Sequence, residues 1–506
     1  MKNYAPDDLL LGIDIGTGSV KVALMEISGR ILGVEKKDHQ IETPQQGWAE
    51  VAVAEIWENS KIVMQRLFRN TAAPAGKVRG VGMSCLCPGL TPMDAEGRAL
   101  ANSVIYMDCR SMEEAEEIRS RIGEDVISSI SGNMLMPGAM SATSILWFRN
   151  KMPEIHRKTA CYGHVNTYFG KKLTGKFGID YSNASYTGLF ETGASLQWSP
   201  RILEGLNLDV RMLPEIYPSW TSLGGLSDSD FIDAGIPRGT PVAMGGGDTA
   251  CSALAVEVIE HNGVFESAGT TNVITVCSEK PVFDLRFMNR CHVVPKRWLY
   301  HGAMSSTGAS VRWLRDEVFD MRNDSDYACI SSMAEDADPG SPCPVFLPYM
   351  AGERSPVWDP LARGVFFGLG LHTRKEHLVR ALFEACAFGN RQLLEIASDM
   401  IGGGIGEILS IGGWSAVDIW NRIKSDITKR TIRVLDISEA AVAGAALLGG
   451  IAAGAYASFH EAAAAIPKKN RKIFIPDPSN DEWYEKRFRI YTSLYPRLRD
   501  LFQARD

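Results

Sequence analysis

The chain has 506 residues, of which 45% are hydrophobic and 22% charged, with a formal net charge of -7 at pH 7. That length exceeds what one hydrophobic core organises, so two domains are expected. The composition is that of an ordinary globular protein, and its acidic balance excludes nucleic acid or an anionic membrane as partner. The opening stretch MKNYAPDDLL has no basic segment leading into an apolar one, so no secretory or transit peptide is expected. Ten cysteines are scattered without a C-x-x-C pair, and Cys85 and Cys87 would need two further ligands to hold zinc. Reduced thiols in the cytoplasm are the expectation.

In chain order, 9–15 (LLLGIDI) reads as an apolar strand, 16–19 (GTGS) as a turn and 20–27 (VKVALMEI) as a returning strand. A second turn at 28–30 leads into ILGV, which predicts a three-stranded antiparallel meander. In 54–70, Ile56, Val63 and Leu67 fall at helical spacing, and 78–84 (VRGVGMS) is a buried strand, giving the order βββαβ. At 242–254 (VAMGGGDTACSAL) a strand-like run passes through three glycines into Asp248, and small residues follow. Beyond it the pattern restarts. Residues 263–280 give strand, Gly-Thr turn and strand; a long helix then carries Leu378, Leu382, Ala385, Gly389 and Ile396 on one face. Strand EILSIGG, a helix, strand TIRVL and the Ala/Gly-rich stretch 440–459 complete it. That last stretch is uncharged over about the length a bilayer requires. Its small residues, Gly449-Gly450 and a Ser438-Glu439 opening like an N-cap instead predict a buried helix packed closely on a neighbour. The repeated Gly-Thr turn predicts an internal duplication with a cleft between the copies.

A Gly-Thr turn offers backbone N–H groups and hydroxyls to an anion. Two of them, Gly16-Thr17-Gly18 and Gly269-Thr270-Thr271, would clasp a polyphosphate from both sides. Asp14 lies inside an apolar strand, where a charge is costly unless paired or ligating a cation. It either caps the adjacent turn or serves as an Mg²⁺ ligand, through water, beside the phosphates. Asp248 either caps its loop or, pointing into the cleft, acts as general base on an acceptor hydroxyl attacking a phosphoryl group in line. Gly412-Gly413 end a strand where a helix begins, a turn suited to a flat or anionic ligand.

These residues resemble the FGGY carbohydrate kinases, with the pentulose kinases such as xylulokinases nearest. The resemblance runs over about residues 9–460 in the family's order: GIDIGTGSVKVALME, GGGDTA, SAGTTNVIT, STGASVRWLRD (306–316), the specific block 347–389, and SIGGWS with EAAVAGAA. It implies an α/β fold of two ribonuclease-H-like, actin-type ATPase domains flanking a deep cleft, with residues 1–255 on the sugar side and 256–506 on the nucleotide side. ATP and Mg²⁺ are the implied cofactors. By the same resemblance Asp248 is the base, Asp14 sits near the metal, and Thr17, Gly18, Ser19, Gly269, Thr270 and Thr271 lie by the phosphates. Gly308, Arg312, Gly412 and Gly413 fall where the family lines its nucleotide pocket. Cys87, Pro88, Asp108 and Arg110 fall on the sugar side with Asp248. Homodimers are common in the family.

Three departures from the family's pattern bear on the ligands, the first two on the sugar and the third on the nucleotide. Cys87 and Pro88 stand where xylulokinases carry Met-His, Tyr106 replaces a tryptophan of the sugar segment, and Trp414 stands where a small residue is common. Losing a histidine removes a side chain able to hydrogen-bond a sugar hydroxyl, which leaves room for a different ketose or polyol. The implied activity is ATP-dependent phosphorylation of a small ketose or polyol, a pentulose such as xylulose first, with ribulose, a tetritol, a pentitol or glycerol as alternatives. Other classes compatible with the turns are an actin- or chaperone-like ATPase acting on a protein partner, and a sugar sensor without catalysis. Neither calls for a retained Asp248.

Overall fold

The computed structural model describes residues 4–323, 326–337, 340–341, 343–437, 439–468 and 470–504. Two seven-stranded sheets organise it. The first runs Ser222–Gly225, Pro241–Ala243, Val78–Cys85, Leu9–Ile15, Ser19–Glu26, Ile31–Asp38, with Gly246–Gly247 added on Val78–Cys85. The second runs Met288–Cys291, Trp298–Met304, Asn272–Ser278, Val264–Ala268, Ile408–Ile411, Ile432–Leu435, Asn470–Phe474.

The expected duplication is visible in the pairing. Leu9–Ile15 is antiparallel to Ser19–Glu26 and parallel to Val78–Cys85; Val264–Ala268 is antiparallel to Asn272–Ser278 and parallel to Ile408–Ile411. All seven residues of Leu9–Ile15 are buried, as a strand covered on both faces requires. The helix Lys375–Ile401 covers the second sheet with Leu382, Ala385 and Gly389 buried on its inner face. Inserted in the first half is a smaller four-stranded sheet of Glu50–Val51, Ser103–Ile105, Gly89–Met93 and Cys161–His164. Its own core includes Leu90, Val104, Trp147, Phe148 and Tyr162.

The Ala/Gly-rich stretch forms the helix Ala440–Ala453, and among the described residues no helix is long and apolar enough to cross a membrane. Ser438, expected at its N-cap, lies outside the described residues. The helix belongs to the second half of the chain but lies against the first sheet. A Cβ on Gly12, Gly80 or Gly82 would strike the backbone of Val442, Gly449 or Ala445, and one on Gly444 would strike that of Cys251. Backbone therefore meets backbone along this seam, an approach that only residues without bulk permit. At its cleft end the preceding residue, Glu439, pairs with Lys21 at 2.7 Å.

Gly82→Ala should therefore destabilise the protein by about 1–3 kcal/mol through overpacking. Gly76→Ala, whose Cβ faces open space, should stay within about 0.5 kcal/mol of the parent. Urea midpoints of the two variants, read side by side, check this. Equal midpoints would show that the seam tolerates side chains.

Candidate active site

Three adjacent strands bring the central carboxylates together. Asp14 is in register with Ser84 on the parallel strand Val78–Cys85, and Ser84 is in register with Gly246 on the next. Neighbouring strands lie about 4.8 Å apart, so Asp14 and the Gly246–Gly247 strand flank Ser84 closely. Asp248 leaves that strand as the first residue of the helix Asp248–Ala255, where unpaired N–H groups favour a negative charge. Its Oδ1 accepts from the Thr249 N–H at 2.6 Å and the Thr249 hydroxyl at 3.1 Å. The glycines before it are bare because the space is taken: a Cβ on Gly246 would meet Val293, and one on Gly247 the Arg290 guanidinium.

Asp14 is 8% exposed, and its Oδ1 accepts from the Ser84 hydroxyl at 2.8 Å. Burial pushes its carboxyl up to about 7; the Ser84 hydrogen bond opposes this, and the negative charge of Asp248 adds to it. Lys21, its register partner across the hairpin, lowers it only in part while paired with Glu439. A buried carboxyl reluctant to ionise on its own, beside a second carboxylate, is chemically suited to a hard divalent cation. Among the described residues no cluster of three His, Cys, Asp or Glu could hold a metal alone. The donor set therefore fits Mg²⁺ held by one or two carboxylates with its remaining ligands from phosphate and water.

The turns stand at the ends of matching hairpins. In the first, Gly16 N–H donates to Ser19 O at 2.9 Å, His39 N–H to Gly18 O at 3.0 Å, and the Gly18 Cα faces open space. In the second, Gly269 N–H donates to Thr271 O at 2.9 Å, and Ala309 N–H donates to Thr270 O at 3.0 Å. Gly308, Gly412 and Trp414 gather around this second turn. A Cβ on Gly308 would strike Gly269 O and the Trp414 indole; one on Gly412, at φ +97°, would strike Ala268. Trp414 meets Tyr327 and Trp420 edge-on at 5.3 and 5.1 Å. The large side chain is thus accommodated by the absence of one at Gly308. Gly413 faces open space, and Arg312 is exposed on the helix Thr307–Trp313. Behind the turn Glu266, in register with Ser410, accepts from the Ser410 hydroxyl at 2.8 Å, from Asn390 at 2.8 Å and from Lys424 at 2.5 Å. Burial raises the Glu266 carboxyl, and the Lys424 ammonium together with the Ser410 and Asn390 hydrogen bonds more than offsets this, leaving it below the usual range.

On the other side, Cys87 and Pro88 follow Val78–Cys85 and are joined by a cis peptide. The Cys87 thiol lies 4.0 Å from His164 Nδ1. Burial lowers the His164 imidazole to about 4, so it is neutral, and its Nε2 lies 2.7 Å from the Ser141 hydroxyl. Asp108 and Arg110 use their polar groups on the protein itself. Arg110 donates to both Asp108 oxygens, pairs with Glu50 at 2.6 Å and covers Trp48 at 3.8 Å. Asp108 also accepts from Ala49 N–H at 2.6 Å. Two residues that sequence reasoning passed over stand here: His164, and Arg290, whose guanidinium lies 4.3 Å from the Tyr186 ring. The signal for Arg290 was a lone charge in MNRCHVV, an otherwise uncharged stretch.

Paired sheets of this topology, each carrying a hairpin turn toward a carboxylate-bearing strand end, define an actin-like, ribonuclease-H-like ATPase fold of the carbohydrate-kinase class. Family models described as the N-terminal and C-terminal domains of the FGGY family of carbohydrate kinases match residues 9–255 and 264–453. The chain belongs to that family and is a phosphotransferase with an alcohol group as acceptor. It is 27% identical over 485 residues to a gluconokinase of Bacillus subtilis (strain 168), covering 93% of each chain. It is likewise 27% identical to a xylulose kinase of Escherichia coli (strain K12), covering 97% of this chain and 99% of that one. The solved xylulose kinase from Rhodospirillum rubrum superposes with a TM-score of 0.90 at 26% identity, covering 98% of this chain and 100% of the other.

The raised Asp14 carboxyl has a stability consequence of definite sign. A group that binds its proton more tightly when folded stabilises the fold below its unfolded value, and that stabilisation is lost as pH rises through the folded one. Asp14→Asn should therefore gain stability relative to the parent between pH 4 and 7 and hold it above, by on the order of 1–4 kcal/mol. Thermal unfolding of both proteins in Mg²⁺-free buffer across that range measures the difference. A pH-independent difference would mean that Asp14 is ionised throughout. Glu353, which burial also pushes up to about 7, is common to both proteins and cancels.

Proposed function

We propose that the chain transfers the γ-phosphoryl group of ATP to a hydroxyl of a small ketose or polyol, with a pentulose such as xylulose the first acceptor to assay. The observation that carries this reading is Asp248, set at a helix N-terminus on the end of a glycine strand, one strand removed from Asp14. Its Oδ1 is held by Thr249, and Oδ2 takes the proton from the acceptor hydroxyl. The acceptor oxygen then bonds to the γ-phosphorus as the bond from that phosphorus to the bridging oxygen breaks, and ADP leaves. The N–H groups of the two Gly-Thr turns bind the phosphates, and in-line alignment supplies much of the rate. Asp14 would hold Mg²⁺, which when bound neutralises charge on the phosphate oxygens. Closure of the two halves excludes water that would otherwise hydrolyse ATP. The likeness to xylulose kinases over nearly the whole chain supports a pentulose. The ten free cysteines support a reducing, cytoplasmic setting.

Asp248→Asn should lower kcat by about 10²–10⁴-fold while leaving nucleotide affinity within a few-fold. Coupled ADP release over a panel of pentuloses, tetritols, pentitols and glycerol, with nucleotide titrated separately, provides both numbers. Turnover within tenfold of the parent would remove Asp248 from the reaction.

A further inference from the structure

Arg290 stands out among the buried arginines. Arg110 is paired with Asp108 and Glu50; Arg380 with Glu384, Tyr484 and two carbonyls; Arg487 with Glu384 and two carbonyls. Arg290 is 3% exposed, and among the described residues no carboxylate lies within ion-pair distance of it. Its Nε and Nη1 have no hydrogen-bond partner. Leaving a buried charge uncompensated costs several kcal/mol in general, a cost that an anionic ligand seated against it would offset.

The fold holds this side chain in place from both directions. Arg290 lies in the edge strand Met288–Cys291, in register with Leu299 of Trp298–Met304. The strand's other edge is tied to the first half of the chain. Asn289 N–H donates to Asn133 Oδ1 at 2.7 Å, Asn133 Nδ2 donates to Asn289 O at 2.8 Å, and Cys291 N–H donates to the Ser185 hydroxyl at 3.0 Å. Between these ties the guanidinium reaches across to the Tyr186 ring and to the space that Gly247, the residue before Asp248, leaves by having no side chain. It is also within electrostatic reach of Cys87 and Asp248. A cation from the second half is thus set into the acceptor side of the first, beside the proposed base.

We propose that Arg290 is a specificity-determining residue that binds a carboxylate on the acceptor, so that the substrate is a hydroxy acid: a short polyhydroxylated chain with an acid group at the end remote from the phosphorylated hydroxyl. This rests on the phosphoryl-transfer reading above and replaces its neutral acceptor with an acidic one. A single guanidinium matches the single charge of a carboxylate. A phosphate monoester carries nearly twice that charge and would sit uncompensated near Asp248 and Asp14.

The test compares acceptors that differ only at the group in question: four-, five- and six-carbon aldonates against the alditols of the same configuration, in which CH₂OH replaces the carboxylate. With ATP and Mg²⁺, the parent should favour an aldonate over its alditol by about 100-fold in kcat/KM. Arg290→Gln should remove most of that preference, chiefly through KM for the aldonate, and Arg290→Lys should keep part of it. Turnover of a neutral sugar or alditol with no preference for the acid overturns this inference and leaves the kinase reading standing. So does an Arg290→Gln variant that lowers kcat equally on both sets, which would place the guanidinium on the transferring phosphoryl group. Should the variants not fold, calorimetric titration of the parent with each aldonate and its alditol decides, and equal affinities overturn the inference. No turnover and no binding on either set overturns this inference; turnover of a pentulose in the same assay then keeps the kinase reading, and silence there as well removes both.

Discussion

Everything in this molecule hangs on the contact of one small-residue helix with one sheet. Ala440–Ala453 comes from the second half of the chain and lies on strands of the first, backbone against backbone, at Gly12, Gly80 and Gly82. Dispersion between closely packed main chains replaces the interdigitation of side chains that usually joins a helix to a sheet. The contact has little to repack into, so it fixes how the two halves meet. Because Glu439 at the head of the helix reaches Lys21 beside Asp14, the same contact sets the floor of the site.

Given that frame, the chemistry follows from strand order. Asp14, Ser84 and Gly246 fall in register on three neighbouring strands, which delivers Asp248 to the mouth of the same sheet. The helix N-terminus beneath Asp248 and the buried Ser84 hydroxyl beneath Asp14 give the two carboxylates different surroundings. Divergent environments for two nearby acids are how one site gives them different proton affinities. The strand carrying Arg290 adds a third element that comes from the opposite sheet and is held there by Asn133 and Ser185.

What the sequence made legible was local. Each Gly-Thr hairpin and the glycine approach to Asp248 are written within a few residues of one another and appear as expected; of the face expected on Lys375–Ile401, Leu382, Ala385 and Gly389 are buried while Leu378 and Ile396 are half-buried. The helical character of 440–453 was readable from composition, but its partner was not, since Gly82 and Ala445 are hundreds of residues apart and nothing periodic links them. The fit of Trp414 was hidden for the same reason, because the compensating absence is at Gly308. Asp108 and Arg110 read as acceptor-side residues, and only coordinates reveal that their hydrogen-bonding capacity is taken up by each other, Glu50 and Ala49. Arg290 and His164 carried no motif at all; what distinguishes them is which neighbours they lack or share.

The two sheets also record how a duplicated unit specialises. In each, an acid on the first hairpin strand faces a serine on the adjacent parallel strand: Asp14 with Ser84, Glu266 with Ser410. In the second copy Lys424 pairs with the buried acid at 2.5 Å, an internal brace for the turn above. In the first copy Lys21 is engaged by Glu439, and burial holds the Asp14 carboxyl up to about 7. Matching positions of the two sheets thus hold a braced acid of lowered proton affinity in one half and an acid of raised proton affinity in the other.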